Sequence, residues 1–499
     1  MSVYKLIDET YKKIGRPIDD IPTLIKNCDD KVWDLYAKGI TTTINQCDSD
    51  YDKQILKKYK PKNLAELSAY VAAIRPGFAT LLDNFIERKP YSTGVKELDD
   101  ILEDSFHYLM YQESIMKYLI WLGIEEKSTY DIIKKISKKK FKEEELNNLK
   151  QKLLKGWVAK VGTEDGFDNT WKVVESAANY SFNASHSLSV AIDSMYGTYL
   201  KANYPLEYFE VALSQYKDDL TRTANLISEM EYFNIKLKSI KFRYSGSDYK
   251  IDKKSNSIYK GLSSIKYMNV GVADALYEMR DQHFGSFIDL LKIFPGNTKQ
   301  RAILVKLGFF EEFGKPKKLL RMCNIFDQYY GKKQIKKDKN ILPVNIIQKY
   351  ATKETEKIYK FENGIGTEML SDICKLLPNT DIPLIEKLKS QQEYLGYIEY
   401  RDESLQPDIY YVSDLSFYKN NINSKPNPTL YRIKDGEVKN LRIGSLNAYK
   451  QNPFSIGDVI QIPVISMDYK RKRNPDGTYT KTDEMVETIN NWRIIISNN

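Results

Sequence analysis

At 499 residues the chain exceeds one hydrophobic core, so about three domains are expected. A formal charge of +9, with 29% charged residues, suits a polyanionic partner but is ordinary enough to select no function. No run approaches the ~18 apolar residues of a membrane span, and Met1-Ser2-Val3-Tyr4-Lys5 has no apolar signal core. Cys28, Cys47, Cys323 and Cys374, with only His107, His186 and His283 as imidazoles, lack the spacing of a zinc site, so reduced thiols and a cytoplasmic chain are expected.

Residues 1–60 alternate helical periodicity with turn signals such as Gly15-Arg16-Pro17 and Ile21-Pro22, which predicts short helices over 2–14 and 29–38. Asp48-Ser49-Asp50-Tyr51-Asp52 sets acids at alternate positions. Lys53 and Tyr59 stand where a calcium loop needs Gly and Glu, so an exposed acidic turn is expected instead. From 64 to 213 apolar residues recur at three and four, as in Ile115, Leu119 and Leu122, which predicts a largely helical domain. Within it, six lysines crowd into the nine residues from Lys134 to Lys142 with no acid among them. That field suits a polyphosphate, and the competing reading is a solvated helix face.

Tyr180-Ser181-Phe182-Asn183-Ala184-Ser185-His186-Ser187 puts hydroxyl, amide, imidazole and aromatic groups on a turn before a helix predicted over 188–200. Backbone N–H groups at a helix start accept an anion and the rings offer stacking faces, while an ordinary N-cap explains the same residues. Helices are then predicted over 206–216 and 221–232, followed by extended chain over 236–250.

Residues 262–315 read as helix, turn, helix, punctuated by Gly261, Gly271, Gly285, Gly296 and Gly308. Residues 331–360 carry Lys332, Lys333, Lys336, Lys337 and Lys339 with few apolar anchors and are expected to be a solvated linker. Period-two runs over 409–415, 430–433, 459–465 and 492–496 predict a small β domain, with one internal helix at 446–449. It carries Lys470-Arg471-Lys472-Arg473 on a strand end before Asn474-Pro475-Asp476-Gly477, a basic hairpin. With Tyr469, Tyr479 or Trp492 exposed, it would bind single strands by charge and stacking.

Several of these segments occur together in one order: Ile74-Arg75-Pro76-Gly77 with Asp83-Asn84-Phe85-Ile86-Glu87-Arg88-Lys89, Phe106 to Glu113, the turn at 180–187, Tyr199-Leu200-Lys201-Ala202-Asn203-Tyr204-Pro205, and Gly261 to Lys266. In that order they resemble the C-family replicative DNA polymerases, the bacterial DNA polymerase III alpha subunit. That family reads Tyr-Gly-Phe-Asn-Lys-Ser-His-Ser and Leu-Lys-Ala-His-Tyr-Pro at the matching places. The resemblance spans most of residues 1–330. It implies a multidomain, mainly α chain followed by a C-terminal β domain of OB type. The implied parts are a palm-adjacent segment over 1–60, helical fingers over 61–235 and a helix-hairpin-helix region over 236–330. A basic linker with helices over 331–393 and the β domain over 394–499 complete them.

The resemblance also implies roles. Lys134, Lys135, Lys138 and Lys139 would face the incoming dNTP with Tyr180, Ser181, Asn183, Ser185 and His186. Arg75, Arg88 and Lys266 would contact primed template DNA, and Lys470, Arg471, Lys472 and Arg473, beyond the resemblance, would join them by the charge of the basic hairpin. Lys134-Lys135 replace an Arg-Arg pair, so a point charge stands where a planar fork is usual. Tyr267-Met268-Asn269 replace a Gly-Val-Gly hairpin turn, whose glycines permit tight turning and close phosphate approach. The family's palm motifs, Pro-Asp-x-Asp and Asp-Phe-Leu-Gly, are not in this sequence. Mg2+ would therefore be held mainly by a partner chain carrying the palm, and this chain alone is expected to be inactive. A sliding clamp is an implied partner too, although no Gln-x-x-Leu/Met-Phe peptide is recognisable. A DNA-binding replication accessory or decayed remnant is the rival reading, and a natural split and a fragment of a longer chain both stay open. Usage rich in Lys, Ile, Asn and Tyr fits an AT-rich genome; for a virus the compartment would be the host cytoplasm.

Overall fold

The computed structural model describes residues 3–75, 78–138, 140–180, 182–417, 424–473 and 479–498. They divide into two compact units: residues 1–236 with 253–258, and residues 237–252 with 259–499.

The first unit is helical. Val3–Ile14 and Asp30–Lys38 fall where periodicity put them, but Ile21–Asn27 is a further helix where Ile21-Pro22 read as a turn. Proline at the first turn forgoes an N–H that has no intrahelical partner, and Asp20 caps that helix by accepting from Thr23 N at 2.8 Å. The acidic stretch is likewise a helix start. Ser49 and Asp52 close a capping box on Asp50–Tyr59, which ends at Lys60 in the left-handed region, φ 51°.

The helix Ala184–Asn203 is the axis of this unit. Val190, Ala191, Ser194, Met195 and the run from Gly197 to Lys201 are buried, and Leu64–Ala73 lies along it, itself buried from Leu67 to Ala73. Ser187 Oγ donates to Ser68 O at 2.5 Å and tethers the two. At the far end Lys201 is fully buried and pairs with Glu229 from the helix Leu220–Met230. Glu229 also accepts from Thr42 N at 2.9 Å and Thr42 Oγ1 at 2.6 Å, while Lys53 Nζ donates to Thr42 Oγ1 at 2.6 Å. This network fixes a loop in which Thr43 and Gln46 both have positive φ, 69° and 55°, costing about 1 kcal/mol or more each. A second apolar cluster joins Leu119, Leu122, Ile133, Leu153, Trp157 and Trp171. There Gly156 on Glu143–Val161 comes so close to the Leu122 carbonyl that an added Cβ would stand 2.1 Å from its oxygen.

In the second unit Val270–Glu278, Phe287–Ile293 and Thr298–Lys306 form the helical hairpins, packed around Leu276, Phe287, Leu291, Leu304, Phe309 and Phe310. Residues 331–360 are not a solvated linker. They fold as the strands Gln334–Lys336, Lys353–Glu354 and Ile358–Lys360 with the helix Val344–Tyr350, and Ile335, Leu342, Ile347 and Tyr359 enter the same core. The anchors are few but each is buried, and the lysines between them stay outside.

The C-terminal β domain has a five-stranded sheet in the spatial order Arg493–Ile496, Val459–Gln461, Ile409–Phe417, Pro426–Arg432, Val438–Asn440. Its other sheet sets the long antiparallel pair Ser466–Arg473 and Tyr479–Ile489 beside the short parallel strand Arg442–Ile443. The internal helix is Leu446–Gln451, and Val412, Leu430, Phe454, Ile460, Ile489 and Trp492 fill the core. The four cysteines are free thiols, three of them buried. Burial pushes Cys28, Cys47 and Cys374 up to about 12 and Cys323 to about 11. No helix among the described residues is long and apolar enough to cross a membrane.

Candidate functional site

The start of Ala184–Asn203 is built by two distant stretches of chain. Tyr111 and Phe182 form a parallel bridge, with Gln112 N donating to Phe182 O at 3.0 Å and Phe182 N to Met110 O at 3.4 Å. Asn183 is the N-cap, its Oδ1 accepting from His186 N at 3.0 Å. Its Nδ2 donates to Glu113 Oε1 at 2.9 Å, and Ala184 N donates to Glu113 Oε2 at 2.9 Å. The backbone N–H groups expected to receive an anion are thus partly engaged. Asn183 takes one, and a carboxylate already takes another.

Arg75 and His186 gather on Phe182. The Arg75 guanidinium carbon lies 4.5 Å from the centre of its ring, and the His186 ring is 5.1 Å away and tilted by 50°. Arg75 leaves the end of Leu64–Ala73 with its Nε buried and without a hydrogen-bond partner, and no ion pair joins it to a described carboxylate. Ser185 and His186 are exposed. Ser181 and Lys139 lie outside the described residues, as do the side chains of Tyr180, Arg471, Lys472 and Arg473.

Lys134 and Lys135 are exposed on the last turn of Glu126–Ser137, with their ammonium groups 5.8 Å from the Tyr130 ring and 5.5 Å from the Phe141 ring. Lys138 caps that helix and is exposed too. No described hydrogen bond, ion pair or ring contact joins them to the turn at 182–186. Arg88, with φ 52°, is spent within the protein: it donates to Glu66 at 3.0 and 2.5 Å and to Tyr59 O and Lys60 O at 3.3 Å. DNA would have to displace Glu66 to use it. Asp48 and Asp52 are equally occupied, Asp48 by Thr43 N at 3.0 Å and Arg222 at 3.2 Å. Among the described residues no three His, Cys, Asp or Glu are placed to hold a metal ion.

At the hairpin tip Tyr267 takes φ 70°, doing with a bulky residue what glycine does without strain. Gln300 Nε2 holds its carbonyl at 3.1 Å, and Asn269 caps the next helix by accepting from Val272 N at 2.9 Å. Lys266 N donates to Tyr394 O at 2.9 Å and Met268 N to Ile265 O at 3.0 Å, so two tip N–H groups are turned inward. The exposed face is a side-chain one: Lys299 Nζ stands 3.4 Å from the Tyr267 ring centre and Lys266 Nζ 5.3 Å. Nothing in the sequence flagged Lys299, which is far from the motif in the chain. On the basic hairpin Lys470 pairs with Glu484 at 2.7 Å, and Tyr469 is half-exposed with Lys481 Nζ 5.5 Å from its ring centre.

Residues 2–161 match the family described as bacterial DNA polymerase III alpha subunit finger domain, and residues 234–320 match a helix-hairpin-helix motif. DNA polymerase III subunit alpha of Aquifex aeolicus is 31% identical over 303 residues, covering 58% of this chain and 26% of that protein. The Campylobacter jejuni protein of the same name is 30% identical over 334 residues, 63% of this chain and 27% of its own length. That of Bacillus subtilis is 27% identical over 299 residues, 58% and 26%. Residues 2–161 and 234–320 of this chain are thus similar to the finger and helix-hairpin-helix regions of C-family DNA polymerases. They correspond to the C-terminal portion of a DNA polymerase III alpha subunit, and the chain spans about a quarter of the length of the curated relatives it matches.

Proposed function

We propose that this chain is the fingers-to-β-domain part of a split DNA-directed DNA polymerase. It receives the incoming dNTP at the Arg75–Phe182–His186 cluster and primed template along the hairpins and β domain, whose OB character belongs to the same reading. A separate chain supplies the palm carboxylates and, with them, Mg2+. The acids here do not fit that ion, since Asp48 and Asp52 are spent on Arg222, Thr43 and the capping box. The observation that carries the reading is an arginine without a carboxylate partner held on the same ring as an exposed histidine, at the turn whose sequence resembles the fingers motif. An arginine with no carboxylate partner, beside an exposed imidazole that can hydrogen-bond, favours an anionic ligand.

The rival, a DNA-binding accessory without catalysis, draws support from Tyr267 at the hairpin tip and from lysine at 134 and 135. One reconstitution separates them. The homogeneous chain with primed template, dNTPs and Mg2+ is expected to extend nothing, and adding a palm-bearing chain is expected to give templated synthesis. Incorporation by this chain alone, lost when one of its own acids is replaced, would overturn the split reading. Palm-dependent synthesis unaffected by omitting this chain would favour the accessory.

A further inference from the structure

Glu113 has no part in the nucleotide reading, yet it bonds the turn at two points, the Asn183 amide and the Ala184 N–H. It sits in the first turn of Gln112–Trp121, and its carboxylate reaches across to the first turn of Ala184–Asn203. One negative charge thus lies at the positive ends of two helices, where each favours it. Its two oxygens act differently. Oε2 takes the Ala184 N–H; Oε1 takes the Asn183 amide and so sets which way that amide faces, leaving Oδ1 for His186 N. The neighbouring backbone is stitched to the same strip, because Tyr111 bridges Phe182, and Phe182 carries Arg75 and His186.

We propose that Glu113 is a positioning residue. It is an internal anion that fills the helix start and locks the 182–186 turn, so that a polyphosphate is recognised by Arg75 and His186 rather than by main-chain N–H groups. This rests on the nucleotide reading. A different role predicts the opposite: were Glu113 only an occluding charge on an anion site, removing it would expose two donors and tighten phosphate binding.

The test uses the full chain labelled with 13C and 15N at histidine. Only three histidines are present, and the signal of His186 is identified by its loss in His186→Gln. Metal-free tripolyphosphate and dTTP are the probes. Both are expected to move the wild-type His186 signal saturably. Glu113→Ala should weaken that response about tenfold or more, the scale of one charge-assisted hydrogen bond. Glu113→Gln can accept from Ala184 N but sets its own amide against Asn183 Nδ2, so it should fall between the two. Equal or tighter binding in Glu113→Ala overturns the proposal. If neither probe moves wild-type His186, the nucleotide reading fails, and the unliganded signal then decides for Glu113. A shift in Glu113→Ala keeps the positioning role, and an unchanged signal removes it. Should the Ala variant unfold, Glu113→Gln alone carries the comparison, with binding at or above wild type as the overturning result.

Discussion

Lys201 and Glu229 are both buried, and their worth depends on each other. Burial raises the Glu229 carboxyl, but the charge and hydrogen bond of Lys201, with two donors from Thr42, outweigh it and hold the group below its ordinary 4.5. Because the folded value is the lower one, its stabilisation is complete above pH 4.5 and fades as pH falls below it. Glu229→Gln strands a buried ammonium and should cost about 3–5 kcal/mol in urea unfolding at pH 7. The gap between variant and wild type should narrow as pH drops from about 5 toward 3. A gap that stays constant over that range would assign the cost to packing. Replacing both partners by apolar residues should recover much of it.

At the scale of elements, the helix Glu126–Ser137 presents lysines at its C-terminal end, where the helix dipole favours cations whether or not a ligand is present. Function is therefore separable from helix stability by experiment. Once a palm chain supports synthesis, Lys134→Ala with Lys135→Ala should lower kcat/KM for dNTP by roughly 2–4 kcal/mol if both face the triphosphate. Unchanged kcat/KM would return them to a solvated face. Helix positions were legible because apolar residues at three and four mark a buried stripe, as in Ile115, Leu119 and Leu122, all of which are in the core. Ile21–Asn27 was not, because Pro22 marks a turn and a first helical turn alike. Residues 331–360 hid for another reason: Ile335, Ile347 and Tyr359 find their core partners in the hairpins, which local pattern does not record. The site divides the same way. The 180–187 motif named His186, but Arg75 reaches Phe182 from far along the chain, across a separation that no spacing rule connects.

For the whole molecule, the distribution of basic groups decides how it would hold nucleic acid. The β domain carries its basic run on one long hairpin, yet Lys470 is already paired with Glu484, so fewer free charges face a strand than the sequence suggests. Replacing Lys470, Arg471, Lys472 and Arg473 by Ser in the full chain should weaken binding of a labelled single-stranded oligonucleotide. It should also flatten the slope of log K against log salt by about 0.7 for each phosphate that is no longer neutralised. Fluorescence anisotropy across a salt series reads both, and equal slopes would make the hairpin a bystander. Lys266 and Lys299 around Tyr267 would then be the remaining described basic pair without a carboxylate partner at a proposed DNA-binding surface.

That three of the four thiols are buried and Cys28 is half-buried has a practical corollary. Desolvation raises all four thiols above the ordinary cysteine range and favours the protonated form, which a maleimide attacks slowly. A single engineered cysteine can therefore be labelled without first stripping the native ones. Leu188, which is 41% exposed and two residues beyond His186, is the natural place, since a dye there would ride on the helix that starts at the proposed nucleotide site. The chain is in effect ready-made for single-molecule work.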